Sequence, residues 1–250
     1  MFIGSVEIKG CALLSPMAGV TDSVFRSLCS EQGAAMCTTE MVSAKGLVMG
    51  DRKSAEIIDL SSDSGPVAIQ IFASEPESAA RCVEKVMACG PDIIDINMGC
   101  PMPKIVKNGA GSALMNDPHK AEAILRAVVS VSSVPVTVKI RLGTDPGSIN
   151  CVEFAKRMEQ AGAAAVTVHA RTAAQMYAPP THPEYIRAVR EVLRIPVIAN
   201  GDVFSAADAV KLVDCTGCGC VAVGRGALGY PWIFREINAL NRAGVVIAPA

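Results

Sequence analysis

Eight short apolar segments, separated by stretches with helical periodicity, constrain the fold of this chain more than any other feature. The segments that we predict to be β-strands are residues 12–15, 36–38, 67–72, 93–97, 136–141, 165–170, 197–200 and 220–224. The helices predicted between them include residues 78–89, 120–131, 152–161, 183–193 and 206–213. Strands that alternate with helices in this way are typical of βα units and of a parallel sheet.

Eight βα units in a chain of 250 residues predict an α/β fold, the (β/α)8 TIM barrel, whose typical size is ~250 residues. The alternative is an open, doubly wound sheet, in which a Gly-x-Gly-x-x-Gly turn follows the first strand. In this chain Pro16-Met17-Ala18-Gly19 stands at that point instead. We therefore favour the barrel.

Composition and charge limit the classes of partner and compartment. The formal net charge is -1, so no global basic field attracts nucleic acid, and any RNA-binding surface must be local. The 10 cysteines follow no regular spacing, which is typical of reduced thiols in a cytosolic protein. Glu7 and Lys9 interrupt the region where a signal peptide needs an apolar core, and no apolar run reaches the ~18 residues of a membrane helix. The sequence predicts a soluble, cytoplasmic protein.

Many residues with polar, charged or reactive side chains lie where the predicted strands end. In a barrel these carboxyl ends and the loops that follow them carry the functional groups. The residues at these positions are Ser15, Pro16, Met17, Glu40, Gln70, Asn97, Cys100, Lys139, Arg141, His169, Arg171, Asn200, Gly201, Asp202, Gly224 and Arg225. A functional site is therefore expected at this end of the barrel.

Two neighbouring strands direct basic groups towards that site. Alternation places two sets of side chains on shared faces: Thr137, Lys139 and Arg141 on one strand, and Thr167, His169 and Arg171 on the next. Buried cations cost several kcal/mol each unless they are paired. Internal carboxylates such as Asp95 and Glu40 are one possible set of partners, and an anionic or polar ligand is the other. The repetition of the pattern on adjacent strands favours the ligand.

The last two predicted strands end in glycine-rich turns. Asn200-Gly201-Asp202 follows the seventh strand and Gly224-Arg225-Gly226 follows the eighth. Loops at these two places commonly bind phosphate in barrels, because glycines expose backbone N–H groups. We predict a phosphorylated ligand with its phosphate there and its functional end over Lys139.

One thiol lies in a rigid turn after the fourth strand. Cys100 is flanked by Gly99 and Pro101, and Pro103 follows. These residues fix a backbone path rather than merely joining two elements. The thiol is either a reactive group or a small buried apolar residue in a tight turn.

The Cys-x-x-Cys sequence at residues 215–218 lacks a second pair of ligands at matching spacing. It also lies on the side where helices lead into strands, away from the expected site. A structural zinc ion needs four such ligands. We predict no metal site.

Taken together, an ordered set of motifs resembles the tRNA-dihydrouridine synthase family, most closely its bacterial B-type branch. The resemblance covers about residues 10 to 235. The motifs lie at residues 15–26, 39–44, 95–104, 138–143, 168–172, 196–202 and 224–232.

The resemblance implies an FMN-dependent barrel, residues 1–235, that reduces the C5–C6 double bond of uridine in tRNA, with NADPH reducing the flavin. It implies that Pro16, Met17, Ala18, Gln70, Lys139 and His169 line the flavin. It also implies that Asn200, Gly201, Asp202, Gly224 and Arg225 bind the ribityl phosphate end.

By the same resemblance, Cys100 is the general acid that protonates C5 of the uracil. A thiol suits this role because its reference pKa of ~8.5 keeps it protonated at neutral pH. The implied uracil contacts are Asn97, Arg141 and Tyr177. Apart from the resemblance, the local cations Lys104, Lys107, Arg141 and Arg171 near the mouth are expected to bind RNA phosphates.

Two regions depart from the family pattern. Residues 177–185 replace the sequence that the family has after Arg171, which bears on substrate preference. Residues 236–250 are too few for the helical tRNA-binding domain that the family adds, so the chain is expected to be a truncated form or a barrel-only relative. The alternatives are therefore a flavin reductase for a small enone or free pyrimidine, and a non-catalytic flavin- or RNA-binding remnant. The sequence does not indicate an oligomeric state.

Overall fold

Eight parallel strands close into a barrel in the computed structural model, which describes residues 1–243. The strands are β1 (Ala12–Leu14), β2 (Cys37–Thr38), β3 (Val67–Phe72), β4 (Ile93–Asn97), β5 (Val136–Ile140), β6 (Ala165–His169), β7 (Val197–Asn200) and β8 (Cys220–Val223). Each strand pairs with its neighbours in chain order, and β8 pairs with β1 to complete the ring. The predicted barrel is confirmed, and every predicted strand matches an observed one to within one residue at each end.

Helices surround the barrel. They are α1 (Ser23–Glu31), α2 (Ala44–Val48), α3 (Arg52–Ile57), α4 (Pro76–Met87), α5 (Pro103–Val106), α6 (Pro118–Val129), α7 (Cys151–Gln160), α8 (Pro183–Val192), α9 (Ala206–Thr216) and α10 (Ile233–Ala243). The five predicted helices are confirmed. Two of them, α4 and α6, begin at prolines two residues before the predicted starts, because proline has no N–H to satisfy and its fixed φ suits the first helical position.

The two faces of the strands carry different side chains. Ile94 and Ile96 on β4 face outwards and are fully buried beneath the helices, as expected for parallel strands covered on both faces. Between them, Asp95 faces the barrel interior, where it lies in register with Gln70 of β3 and Thr137 of β5. The interior of the barrel is thus polar at this level, directly beneath the carboxyl ends of the strands.

A short N-terminal hairpin, Phe2–Ile3 paired with Val6–Glu7, covers the opposite end of the barrel. Its turn contains Gly4 with φ +56°, and a Cβ there would lie 2.6 Å from the side chain of Pro135, which precedes β5. Ile3 and Ile8 are buried. The sequence did not predict this hairpin, because two-residue strands are too short to display alternation.

The terminal helix crosses the predicted boundary at residue 235. Helix α10 packs against α9 and β1, so the outer layer of the barrel continues to Ala243. The rest of the predicted terminal segment, residues 244–250, lies outside the described residues.

No disulfide bond joins two cysteines within residues 1–243, which include all 10 of them. Within residues 1–243, no helix is long and apolar enough to cross a membrane. Over the same residues, no group of three or more His, Cys, Asp or Glu side chains is arranged to hold a metal ion.

Candidate active site

A cavity of about 510 Å³ opens at the carboxyl ends of the barrel strands. The predicted residues that line it are Ser15, Pro16, Met17, Ala18, Gln70, Asn97, Cys100, Lys139, Arg141, His169, Tyr177, Asn200, Gly201, Asp202, Gly224 and Arg225. Glu40, Lys104, Lys107 and Arg171 were also predicted at this end of the barrel, but they are not part of the lining. The volume of the cavity falls within the ~300–1,000 Å³ of small-molecule and cofactor sites. The structure thus brings together residues from across the chain, whose individual roles stay predictions.

On the side formed by β3, β4 and β5, buried amides form a continuous set of hydrogen bonds. Gln70 Nε2 donates to Asp95 Oδ2 at 2.6 Å, and Asn97 Nδ2 donates to Gln70 Oε1 at 2.9 Å. The backbone N–H of Cys100 donates to Asn97 Oδ1 at 2.8 Å. The other oxygen of Asp95 accepts from Thr137 Oγ1 at 2.6 Å. We call Asp95, Gln70, Asn97 and Cys100 the amide side of the cavity.

Asp95 does not form an ion pair with the buried cations, although the sequence made it a possible partner for them. Its two oxygens are taken by neutral donors, and burial raises the pKa of its carboxyl group above the ordinary value. Glu40, the other candidate, accepts from the backbone N–H of Gly19 in the loop after β1. The basic groups of the cavity therefore find other partners.

Cys100 is half-buried in the loop between β4 and α5. Its carbonyl accepts from Ser112 N at 3.0 Å, and a Cβ at Gly111 would lie only 2.7 Å from that oxygen. Burial raises the pKa of the Cys100 thiol, and the nearby cations Arg141 and Lys139 only partly oppose this. At neutral pH the thiol is therefore protonated and able to act as a proton donor.

Lys139 and His169 differ in charge although both face the cavity. Burial and the nearby Arg141 lower the pKa of Lys139 to about 8, so it is charged at neutral pH. Lys139 Nζ donates to Asn200 Oδ1 across the barrel at 3.0 Å, and Asn200 Nδ2 donates to Ala222 O at 2.7 Å. Burial and the surrounding cations lower the pKa of His169 far below its ordinary value, so its imidazole is neutral.

Arg141 connects two loops at the mouth of the cavity. Its Nε donates to Gly99 O at 3.0 Å, and its Nη1 donates to Thr172 O at 2.9 Å and to Met176 O at 2.8 Å. These are backbone carbonyls of the Cys100 loop and of the loop after β6. Among the described residues, no acceptor is found for Nη2 of Arg141.

On the side formed by β6, β7 and β8, charged groups pair with one another. Arg171 is buried, donates to both oxygens of Asp202 and also donates from Nε to Ala178 O at 2.8 Å. Arg225 Nη2 donates to Asp202 Oδ1 at 2.8 Å. We call Arg171, Asp202 and Arg225 the ionic side. The guanidinium of Arg171 is committed to this pairing and does not line the cavity.

Several residues of the rim were not predicted as site residues. Met102, Phe204 and Leu228 line the cavity and are about half exposed. The guanidinium of Arg225 lies 4.6 Å from the ring centroid of Tyr177 and 5.4 Å from that of Phe204. These rim residues stand in loops, where no periodicity indicates which way a side chain points. Only their position after a strand end would have drawn attention to them.

A family model described as dihydrouridine synthase matches residues 13–245 of the chain. The probable tRNA-dihydrouridine synthase 1 of Synechocystis sp. is 44% identical over 243 residues, which cover 97% of this chain and 68% of that protein. The tRNA-dihydrouridine synthase B of Pasteurella multocida is 41% identical, with 100% of this chain and 76% of that protein covered. The protein of the same name from Shewanella oneidensis is 42% identical and is covered to 77%.

Solved structures with a similar fold are much more distant in sequence. Morphinone reductase has a TM-score of 0.67 at 13% identity, covering 99% of this chain and 90% of that one. Histamine dehydrogenase from Rhizobium sp. 4-9 has a TM-score of 0.72 at 13% identity, covering 95% of this chain and 47% of that one. At these identities the likeness concerns the barrel fold alone.

Proposed function

This chain belongs to the dihydrouridine synthase family, and we propose that it reduces the C5–C6 double bond of uridine in tRNA to give 5,6-dihydrouridine. FMN is the proposed cofactor and NADPH the proposed reductant. One observation carries the proposal: a single cavity is lined by the protonated Cys100 thiol, the charged Lys139 and the amide of Asn97. These are a proton donor, a cation and a hydrogen-bonding group for a uracil edge.

The residues present fit FMN, a flat ring system that ends in an anionic phosphate. Gly226 in the loop after β8 lies so close to the loop after β7 that a Cβ would be 2.0 Å from Val203 O, and glycine alone permits this approach. On the ionic side, the two guanidinium groups share the carboxylate of Asp202, which leaves one net positive charge to attract a phosphate. Gly201, Gly224 and Arg225 would bind the phosphate, and Gln70, Lys139 and Met17 would border the ring.

FMN, when bound, would supply the hydride that adds to C6 of the uracil. Cys100 would then donate its proton to C5, which completes the reduction. Burial of the thiol suits this step, because the raised pKa keeps the proton in place until a basic carbon is present. Lys139 would hold a positive charge beside the ring system throughout.

Three side chains at the mouth of the cavity would contact the substrate. Nη2 of Arg141 and the amide of Asn97 offer polar contacts to a uracil. Tyr177 is 54% exposed, so part of its ring is available to stack on a base beside the guanidinium of Arg225. A uridine must leave its base stack to reach such a site. The cavity suits an extruded nucleotide better than a paired one.

The direct test is turnover of an unmodified tRNA transcript by the purified chain with FMN and NADPH. We expect dihydrouridine in the digested RNA by mass spectrometry and matching oxidation of NADPH. Parallel reactions contain 2-cyclohexenone or free uracil in place of tRNA. NADPH oxidation with these acceptors and not with tRNA would establish a small-molecule reductase instead. Retention of FMN without turnover of any acceptor would contradict the enzymatic proposal for this chain.

A further inference from the structure

Asp95 ends a set of hydrogen bonds that starts at the backbone of Cys100. The bonds run from Cys100 N to Asn97, from Asn97 to Gln70 and from Gln70 to Asp95, with donor–acceptor distances of 2.8, 2.9 and 2.6 Å. Asp95, Gln70 and Asn97 are all buried. Buried polar groups without partners are costly, so each bond in this set restricts the next.

The two ends of the set fix its direction. At one end, Asp95 Oδ2 accepts a hydrogen bond, and Gln70 turns its NH2 group towards it. The carbonyl oxygen of Gln70 then faces Asn97, whose NH2 group must donate to it. As a result, Asn97 presents its oxygen to the backbone N–H of Cys100, which can only donate. Reversal of either amide would set two oxygens, or two NH groups, against each other.

We propose that Asp95 is a positioning residue for the Cys100 loop and that it acts through the amides of Gln70 and Asn97. The role of Cys100 as proton donor rests on the proposed function, whereas the position of its loop does not. Asp95 also determines which groups Gln70 and Asn97 leave for a ligand, because it fixes the orientation of both amides. Asp95 does not itself line the cavity; it contacts Gln70, which does.

A competing explanation is that Asp95 serves only as a counter-charge for Lys139. The ammonium group of Lys139 donates to Asn200, and Asp95 acts on it at a distance. Asp95→Asn separates the two explanations, since it removes the charge but keeps an oxygen for Gln70. The amide NH2 group of the variant then faces Thr137, whose hydroxyl is able to accept. Asp95→Leu removes both the charge and the acceptor.

Thr137→Val provides a matched control in the same layer. Thr137 donates to the other oxygen of Asp95 at the same distance, 2.6 Å, but it is not part of the set that leads to Cys100. The variant therefore reports any general damage to the barrel interior.

The experiment measures the rate at which iodoacetamide alkylates each cysteine, by peptide mass spectrometry, in folded protein with excess FMN. The rate at Cys100 is divided by that at Cys215, which is exposed and serves as the internal standard. The buried thiols Cys29, Cys82 and Cys151 report global opening in the same sample. The assay needs neither tRNA nor turnover, so its outcome is independent of whether the chain makes dihydrouridine.

We expect Asp95→Leu to raise the Cys100 ratio about fivefold, as the loss of one buried hydrogen bond frees the loop, while the buried thiols stay unreactive. Asp95→Asn and Thr137→Val should stay within about twofold of the wild type. A wild-type ratio in folded Asp95→Leu would overturn the proposal. So would an equal rise in Thr137→Val, which would indicate general loosening, or in Asp95→Asn, which would indicate a role of the charge.

Gln70→Met provides a second route if Asp95→Leu does not fold or if its buried thiols react. It interrupts the same set of bonds at its middle and leaves Asp95 bonded to Thr137. The Cys100 ratio should again rise about fivefold, and a wild-type ratio would overturn the proposal.

Discussion

The amide side and the ionic side of the cavity hold their side chains by different interactions. On the amide side, neutral groups with a fixed direction of donation lead from Asp95 to the Cys100 backbone. On the ionic side, Arg171 and Arg225 share one carboxylate that is 32% exposed. Hydrogen bonds between neutral groups fix which donor atom faces which acceptor atom. An ion cluster fixes the net charge of the region and tolerates more variation in the position of the group that it binds.

This difference corresponds to two tasks in the proposed reaction. Proton transfer to a carbon atom requires a donor at a defined position, because misplacement by about 1 Å lowers rates steeply. Binding of a phosphate requires charge and N–H groups but tolerates small shifts. The comparison therefore predicts that changes on the amide side affect turnover and that changes on the ionic side affect stability and affinity.

The largest effect is expected for Cys100→Ala on the amide side. Without the proton donor, dihydrouridine formation should fall by at least about a hundredfold, while bound FMN, measured by visible absorbance, stays unchanged. Cys89→Ala is the matched control, because Cys89 is also half-buried but lies on the outer layer after α4. Equal turnover in the two variants would remove Cys100 from the mechanism.

An intermediate effect is expected for Asp202→Asn on the ionic side. Asp202 has φ +48°, which asparagine tolerates, so the change removes charge without straining the backbone. The buried Arg171 then loses its carboxylate, and the free energy of unfolding should fall by about 2 kcal/mol, discounted for the partial exposure of Asp202. Urea denaturation at equal flavin content measures this.

The control for that loss is Glu153→Gln, which makes the same chemical change in the exposed Lys156–Glu153 pair. It should leave the free energy of unfolding nearly unchanged. If both variants unfold at the same urea concentration as the wild type, the ionic side does not contribute to stability in the way described.

The smallest effect concerns the pH dependence of Lys139, which lies between the two sides and donates to Asn200. The pKa of Lys139 is lowered to about 8, so the lysine loses its charge as pH rises through that value. FMN affinity should weaken about tenfold as the pH rises from about one unit below this pKa to about one unit above it. The Cys100 thiol stays protonated because its pKa is raised, and Asp202 stays ionised because Arg171 lowers its pKa.

Titration of FMN binding by fluorescence over this pH range provides the measurement. Lys139→Met should bind FMN more weakly at every pH and with a flat profile. An equally steep profile in Lys139→Met would assign the pH dependence to another group.

The barrel and the strand residues of the cavity lining could be predicted because alternation decides which strand residues face inwards. The loop residues of the lining were predicted from their place after a strand end and from the family resemblance. Lys139 and His169 lie within strands, so their direction followed from the pattern. Arg171 lies two residues beyond the end of β6, and there the loop decides that its guanidinium turns to Asp202. Alternation applies only as far as the strand extends.

The role inferred for Asp95 could not be read from the sequence for a different reason. Alternation places Asp95 in the interior, but it does not say which residues of adjacent strands lie at the same height. The register that sets Gln70 and Thr137 beside Asp95 depends on the stagger of the whole barrel. A buried acidic residue near Lys139 therefore suggested an ion pair, whereas the register gives it neutral partners.

The contacts of Arg141 have a consequence for efforts to change substrate preference by loop exchange. Residues 172–176 lie in the loop after β6, directly before residues 177–185, where the sequence predicts a departure from the family pattern. A graft that exchanges this loop would replace both segments. Two of their carbonyls, those of Thr172 and Met176, are held by the same guanidinium that binds Gly99 O beside the thiol. A replacement segment that does not present carbonyls at those two points would change the surroundings of Cys100 as well as specificity.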